Sequence, residues 1–183
     1  MRIVVGLLAI FAIGAMGFVG KVVDRPAVVE NVDVERYMGL WYAVASIPTT
    51  FERACVQGTT AEYHLLANGQ IEVINSCYRA DGSPFDAVGR AWIPDPAEPA
   101  KLKVSFVQFL GRWFFPGDYW ILELDSAYRY AVVGHPKRSY GWILSRTPTL
   151  EEATLEGIYE RLEAQGYDRS HFRAIDQSIY AGD

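Results

Sequence analysis

The sequence predicts an all-β domain, an antiparallel meander followed by one C-terminal helix. Three observations carry that expectation. From Leu40 onward apolar residues recur with period two, the spacing that sends alternate side chains to opposite faces of a strand. Turn chemistry breaks the pattern at short intervals, with Asn68-Gly69 the strongest hairpin signal in the chain. No helical pattern separates the strands, so βαβ units are excluded and a sandwich or a closed barrel remains.

Eight strands are expected, over residues 40–47, 57–66, 70–78, 86–93, 101–109, 118–124, 128–134 and 140–146. The run from Ala80 to Pro84 reads as a loop, and Pro94-Asp95-Pro96 through Pro99 cannot donate to a central ladder. Pro116-Gly117, Asp125-Ser126 and His135 to Ser139 supply the remaining connections. In the helix, Thr149 with Glu152 reads as a capping box. Leu155, Ile158, Tyr159 and Leu162 form one apolar stripe, and Gly166 suits the position just past the end.

Composition narrows the function. The chain has 183 residues, a formal net charge of −5 and 14% aromatic residues, with only two cysteines. An acidic balance argues against nucleic-acid binding and against a polybasic membrane surface. Abundant aromatics argue against disorder, and two cysteines against a disulfide scaffold. Residues Ile3 to Val19 are apolar, with Arg2 before them and Lys21 after. Residues 1–20 therefore read as a signal peptide or an uncleaved signal anchor, 21–30 as a tether, 31–178 as the domain and 179–183 as a tail. The leader holds no cysteine for lipid attachment. Export to an oxidising compartment suits a Cys55–Cys77 disulfide, although strict two-residue hairpin register sets residue 60 opposite 77, so bridging needs a bulge, a longer loop or a strand start that folds back. Two buried thiols are the alternative.

Gly39-Leu40-Trp41-Tyr42 opens the first strand, and Trp142 to Pro148 closes the eighth. With Phe51-Glu52-Arg53, Leu102 to Phe106 and Asp118 to Asp125, these segments resemble the bacterial lipocalin family (Blc-like), related to apolipoprotein D and plant temperature-induced lipocalins. The resemblance spans about residues 31–178 and implies an eight-stranded up-and-down barrel with the helix packed outside. Many bacterial members carry a lipidated leader cysteine, which this chain lacks.

The resemblance implies that Gly39, Trp41 and Arg146 close the barrel floor, the guanidinium over the indole. It sets Trp41, Ala43 and Ala45 inward, with Ala61, Tyr63 and Leu65, then Ile71, Val73 and Asn75. Leu102, Val104 and Phe106, and Trp142 and Leu144, follow, with Ala91 and Tyr119 as the inward choices on the remaining strands. From these, Ala43, Tyr63, Val73, Ala91, Val104, Phe106, Tyr119 and Trp142 are the expected lipid-binding residues. The apolar run around Phe109, Arg112 and Trp113 reads as a ligand portal or membrane-docking rim, or as a segment that folds back on the barrel or lengthens its strands.

The resemblance implies a small hydrophobic ligand, a fatty acid or lysophospholipid, stored or transported in the periplasm or membrane-associated envelope. Membrane contact would run through the leader or the 109–115 loop. No catalytic group, cofactor or metal is expected. The alternatives are a lipocalin-fold enzyme acting on a lipid-like substrate, which needs an inward reactive Cys or His, and a tetrapyrrole carrier, which needs an inward axial ligand. His64 alternates to the outside.

Overall fold

The computed structural model describes residues 25–50 and 52–180; the leader lies outside the described residues. A one-turn helix α1 (Val34–Tyr37) leads into β1 (Gly39–Ser46), β2 (Gln57–Leu65), β3 (Ile71–Tyr78), β4 (Pro84–Trp92) and β5 (Lys101–Ser105). A small separate hairpin follows, β6 (Val107–Phe109) and β7 (Arg112–Phe114). Then come β8 (Gly117–Leu124), β9 (Tyr130–Gly134), β10 (Gly141–Ser145), helix α2 (Glu152–Ala164) and a short β11 (Arg173–Ala174). The strands β1 to β5 and β8 to β10 pair in sequence order, and β10 pairs back on β1. This is a closed eight-stranded antiparallel barrel, so the sandwich alternative falls away.

Two apolar clusters divide the barrel wall. The inner one includes Trp41, Ala43, Tyr63, Val73, Ala91, Leu102, Ile121, Val133 and Leu144. The outer one joins Trp120, Leu122, Val132 and Ile143 to Ile158, Tyr159 and Leu162 of α2. Alternation along the strands produces both faces, and full burial of a Val, Leu or Ile side chain among them contributes about 1.5–3 kcal/mol.

Four local expectations change. β5 stops at Ser105 instead of running to 109, because the Ser105 hydroxyl turns the chain: it accepts from Val107 N at 3.2 Å and donates to the Phe114 carbonyl. Ala45 joins the outer cluster, since a register shift between Ala43 and Ala45 pairs Ala45 with the outward Ile143. The capping box is not formed; Glu151 is the N-cap without a side-chain bond, and the Thr147 hydroxyl donates to the Thr149 carbonyl at 2.7 Å. The 68–69 turn is wider than two residues, with Leu65 opposite Ile71. At the other end of α2, Gly166 takes φ 84° and Tyr167 N reaches Leu162 O at 3.0 Å, a Schellman closure.

The disulfide is present. The β2–β3 register slips between Gln57 and Thr60, and the Cys55 and Cys77 Cα atoms lie 5.6 Å apart. A one-residue slip is too small to bring them together; Cys55 lies ahead of β2, where the chain turns back, with Cys55 N on Glu52 O and Val56 N on Tyr78 O, each at 2.9 Å.

Candidate functional site

The barrel has a closed and an open end, and the register identifies them. Gly39 at the start of β1 lies opposite Tyr63 near the end of β2, so Trp41, the 66–70 turn and the 125–129 turn share one end. The connections 47–56, 79–83, 106–116 and 135–140 ring the other.

The closed end is built from the short segment before β1. Val28, Val29, Val32, Val34 and Met38 pack on the inner cluster, and Val29 N bonds Ile121 O at 3.0 Å. Asp33 caps α1 by accepting from Arg36 N at 3.1 Å. The guanidinium of Arg146 sits 3.7 Å from the Trp41 ring centroid. It donates to the carbonyls of Leu40 at 2.7 Å, Arg36 at 2.9 Å, Tyr37 at 3.2 Å and Met38 at 2.8 Å. A cation therefore satisfies the orphan carbonyls at the end of α1. Gly39, at φ 87°, gives the backbone turn that a β-carbon would strain. Trp41 is fully buried, and its indole N–H donates to Tyr37 O at 2.8 Å.

Above this floor lies a small apolar cavity of about 20 Å³. Its apolar wall is Ile71 and Val73 of β3, Ala91 of β4, and Leu102 and Val104 of β5, with Met38 below. The polar exception is a chain of three phenols. Tyr119 OH lies 2.8 Å from Tyr37 OH and 2.9 Å from Tyr63 OH. Burial pushes Tyr37 and Tyr119 well above the usual phenol range and Tyr63 up to about 12, so all three stay neutral.

Of the eight residues expected to bind lipid, Tyr63, Val73, Ala91, Val104 and Tyr119 line this cavity. Ala43 is buried in the same interior but away from it. Phe106 lies one step toward the mouth, 41% exposed, with its ring where a β-carbon on Gly89 would come within 2.7 Å. Trp142 is half-buried nearer the mouth; its indole donates to Glu52 at 2.8 Å and Tyr140 stacks on it. Glu52 also accepts from Thr49 N at 3.1 Å, which ties the 47–56 loop to the wall. Tyr37 and Met38 were missed. The available signal was Tyr37 four residues before Trp41, one helical turn apart, behind the capping Asp33.

The rim residues form the β6–β7 hairpin, turned through Leu110 (φ 47°) and Gly111 (φ 74°). Leu110 and Phe115 are 84% and 85% exposed. Phe109 and Arg112 are exposed too, while Trp113 is half-buried with Arg90 5.5 Å above its ring. The segment is thus a projecting hairpin and not an extension of β5. His64 faces outward, 3.3 Å from Glu62, and both thiols are consumed in the disulfide.

A closed barrel with a blind apolar cavity defines a container for a small hydrophobic molecule. Residues 32–177 match the family model described as a lipocalin-like domain. The chain is 42% identical to temperature-induced lipocalin-1 of Arabidopsis thaliana over 154 residues, covering 82% of each chain. It is 38% identical to the outer membrane lipoprotein Blc of Escherichia coli (strain K12), again covering 82% of each. Insecticyanin from the tobacco hornworm Manduca sexta shares the fold at a TM-score of 0.65, with 24% identity and 84% of each chain covered. The chain belongs to the lipocalin family, whose members bind small hydrophobic ligands.

Proposed function

We propose that the barrel carries one single-chain lipid, a fatty acid or lysophospholipid, non-covalently and within the cell envelope. The apolar interior above the Trp41 floor, closed at one end and ringed by loops at the other, carries this reading. Each methylene that enters the apolar interior contributes about 0.8 kcal/mol before the costs of association. The envelope setting rests on the apolar leader segment and on the Blc relative, itself named an outer membrane lipoprotein.

In this reading the β6–β7 hairpin is the contact with the membrane. Leu110 and Phe115 hold positive φ while presenting bulky side chains to solvent, an unfavourable arrangement that a soluble surface gives no reason to keep. Arg112 beside them suits a phosphate or carboxylate headgroup.

Native mass spectrometry and displacement of a fluorescent fatty acid test the proposal. Wild type retains lipid and releases the probe on adding fatty acid at micromolar levels. Ala91→Trp, which fills the cavity, loses both while still melting cooperatively, with about 1–3 kcal/mol of overpacking cost. Probe binding unchanged by Ala91→Trp, or no lipid on the wild type, refutes it.

A further inference from the structure

The net charge of −5 is not spread evenly along the barrel. At the open end, the 47–56 connection carries Arg53, 79–83 carries Arg79, 106–116 carries Arg112, and 135–140 carries Lys137 and Arg138. The acids of these four connections are Glu52 and Asp81. At the closed end the balance reverses: segments 25–38, 93–100, 125–129 and 146–151 hold seven acids against four arginines. Flanking charges do not undo the contrast. Lys103 neutralises Asp118 at 2.7 Å, and Asp86 of β4 takes one unit from a mouth that stays positive. The 165–180 stretch, which passes the open end beside β1 and β2, sets Arg169 and Arg173 against Asp168 and Asp176.

The two mouth acids are turned onto neighbouring donors. Glu52 accepts from the Trp142 indole and from Thr49 N and Oγ1, and Asp81 accepts from Ser83 N and Oγ. Arg53, Arg112 and Lys137 are exposed on three different loops, and among the described residues none of them forms an ion pair. The exposed apolar side chains Phe109, Leu110 and Phe115 project from the same ring.

We propose that the mouth docks on an anionic bilayer, with Arg53, Arg112 and Lys137 at the phosphates and the hairpin tips below them. The inference rests on the lipid-carrier reading with its membrane-facing hairpin, and adds the charge of the surface that hairpin meets. Strands of eight or nine residues, tilted as a closed barrel requires, hold the two ends about 20 Å apart. The screening length at physiological salt is about 8 Å. A surface facing the mouth therefore meets its cations, while the acids of the closed end are screened from it. The same polarity turns the opening toward the lipid it would take up.

The test adds the full chain to vesicles of phosphatidylcholine, alone or mixed with phosphatidylglycerol, and follows quenching of tryptophan fluorescence by bromine-labelled acyl chains. Residues 1–40 hold no tryptophan, so the signal reports the barrel, with Trp113 on the hairpin itself. The lipid concentration for half-maximal quenching should be at least about ten-fold lower with phosphatidylglycerol, since each cation at the surface contributes about five-fold. The difference should vanish at about 1 M salt. Arg53→Gln/Arg112→Gln/Lys137→Gln loses most of it. Glu30→Gln/Glu35→Gln/Glu98→Gln, which removes three charges at the closed end, leaves it within about two-fold. Both variants keep Arg2 and Lys21, so any attraction through the leader cancels.

Equal half-points on the two vesicles in wild type overturn the inference, as does an undiminished difference in the mouth variant. A closed-end variant that tightens as much as the mouth variant loosens also overturns it, because net charge alone then acts. So does salt-sensitive self-association without vesicles that the mouth variant abolishes, since the acidic end of a second copy then covers the mouth. Displacement of a fluorescent fatty acid from wild type is measured without vesicles on the same preparation. Intact displacement with equal half-points overturns this inference alone, whereas failed displacement overturns the lipid-carrier reading.

Discussion

Replacing Arg146 by alanine tests the closed end directly. The guanidinium lies 3.7 Å from the Trp41 ring, a contact worth about 0.5–2 kcal/mol depending on desolvation. It also accounts for the side-chain hydrogen bonds to the carbonyls of Arg36, Tyr37, Met38 and Leu40. Some of these regain water when the side chain is cut back, so their loss adds about 1–2 kcal/mol rather than the full sum. The expected destabilisation is about 2–4 kcal/mol, and Tm falls by about 4–16 °C for a domain of this size. Arg146→Lys keeps the charge but not the planar fork and falls between the two. Thermal unfolding followed by near-UV and far-UV circular dichroism is the assay. A double-mutant cycle with Trp41→Phe then isolates the stacking contribution. A Tm within about 2 °C of wild type for Arg146→Ala refutes the reasoning.

Further outcomes follow from the same geometry. Reducing the Cys55–Cys77 bridge, whose partners are 22 residues apart, lowers unfolding free energy by about 3 kcal/mol in urea titrations; an unchanged midpoint contradicts the constraint. Hydrogen bonds from Arg129 hold the Asp125 carboxyl down to about 2. Since its folded pKa lies below the unfolded one, its stabilisation is present above about pH 4 and is lost as pH falls toward 2. Urea midpoints should therefore separate wild type from Asp125→Asn at about pH 5 and converge at about pH 2; a constant gap argues against this role. Asparagine tolerates positive φ, so Leu110→Asn/Phe115→Asn keeps the hairpin backbone while removing its apolar tips. Quenching of tryptophan fluorescence by bromine-labelled acyl chains in reconstituted vesicles should fall at least about ten-fold, as two apolar side chains no longer bury. Quenching equal to wild type removes the hairpin from the membrane.

The strands were legible in the sequence because their cause is local. Alternation along β3 and β5 follows from the two-residue repeat of an extended chain, and it placed Val73 and Val104 on the inner wall. The stripe at Ile158, Tyr159 and Leu162 likewise announced which side of α2 would be covered. Errors arose where one side chain overrides the repeat. Ser105 ends β5 through bonds to Val107 and Phe114, partners no alternation rule anticipates. The register shift beside Ala43 carries Ala45 to the other face, since a one-residue slip exchanges the faces of everything after it.

The sequence alone determined the all-β class, the helix and the inward phase of most strands, since neighbouring residues set each of these. Closure of β10 on β1, the pairing of Arg146 with Trp41 and the junction of Tyr37, Tyr63 and Tyr119 were decided only by the tertiary structure. Tyr37 and Tyr119 are 82 residues apart, and their hydroxyls meet only once eight strands have closed around them. Local propensity carries no record of which distant side chains a closed barrel brings to one point.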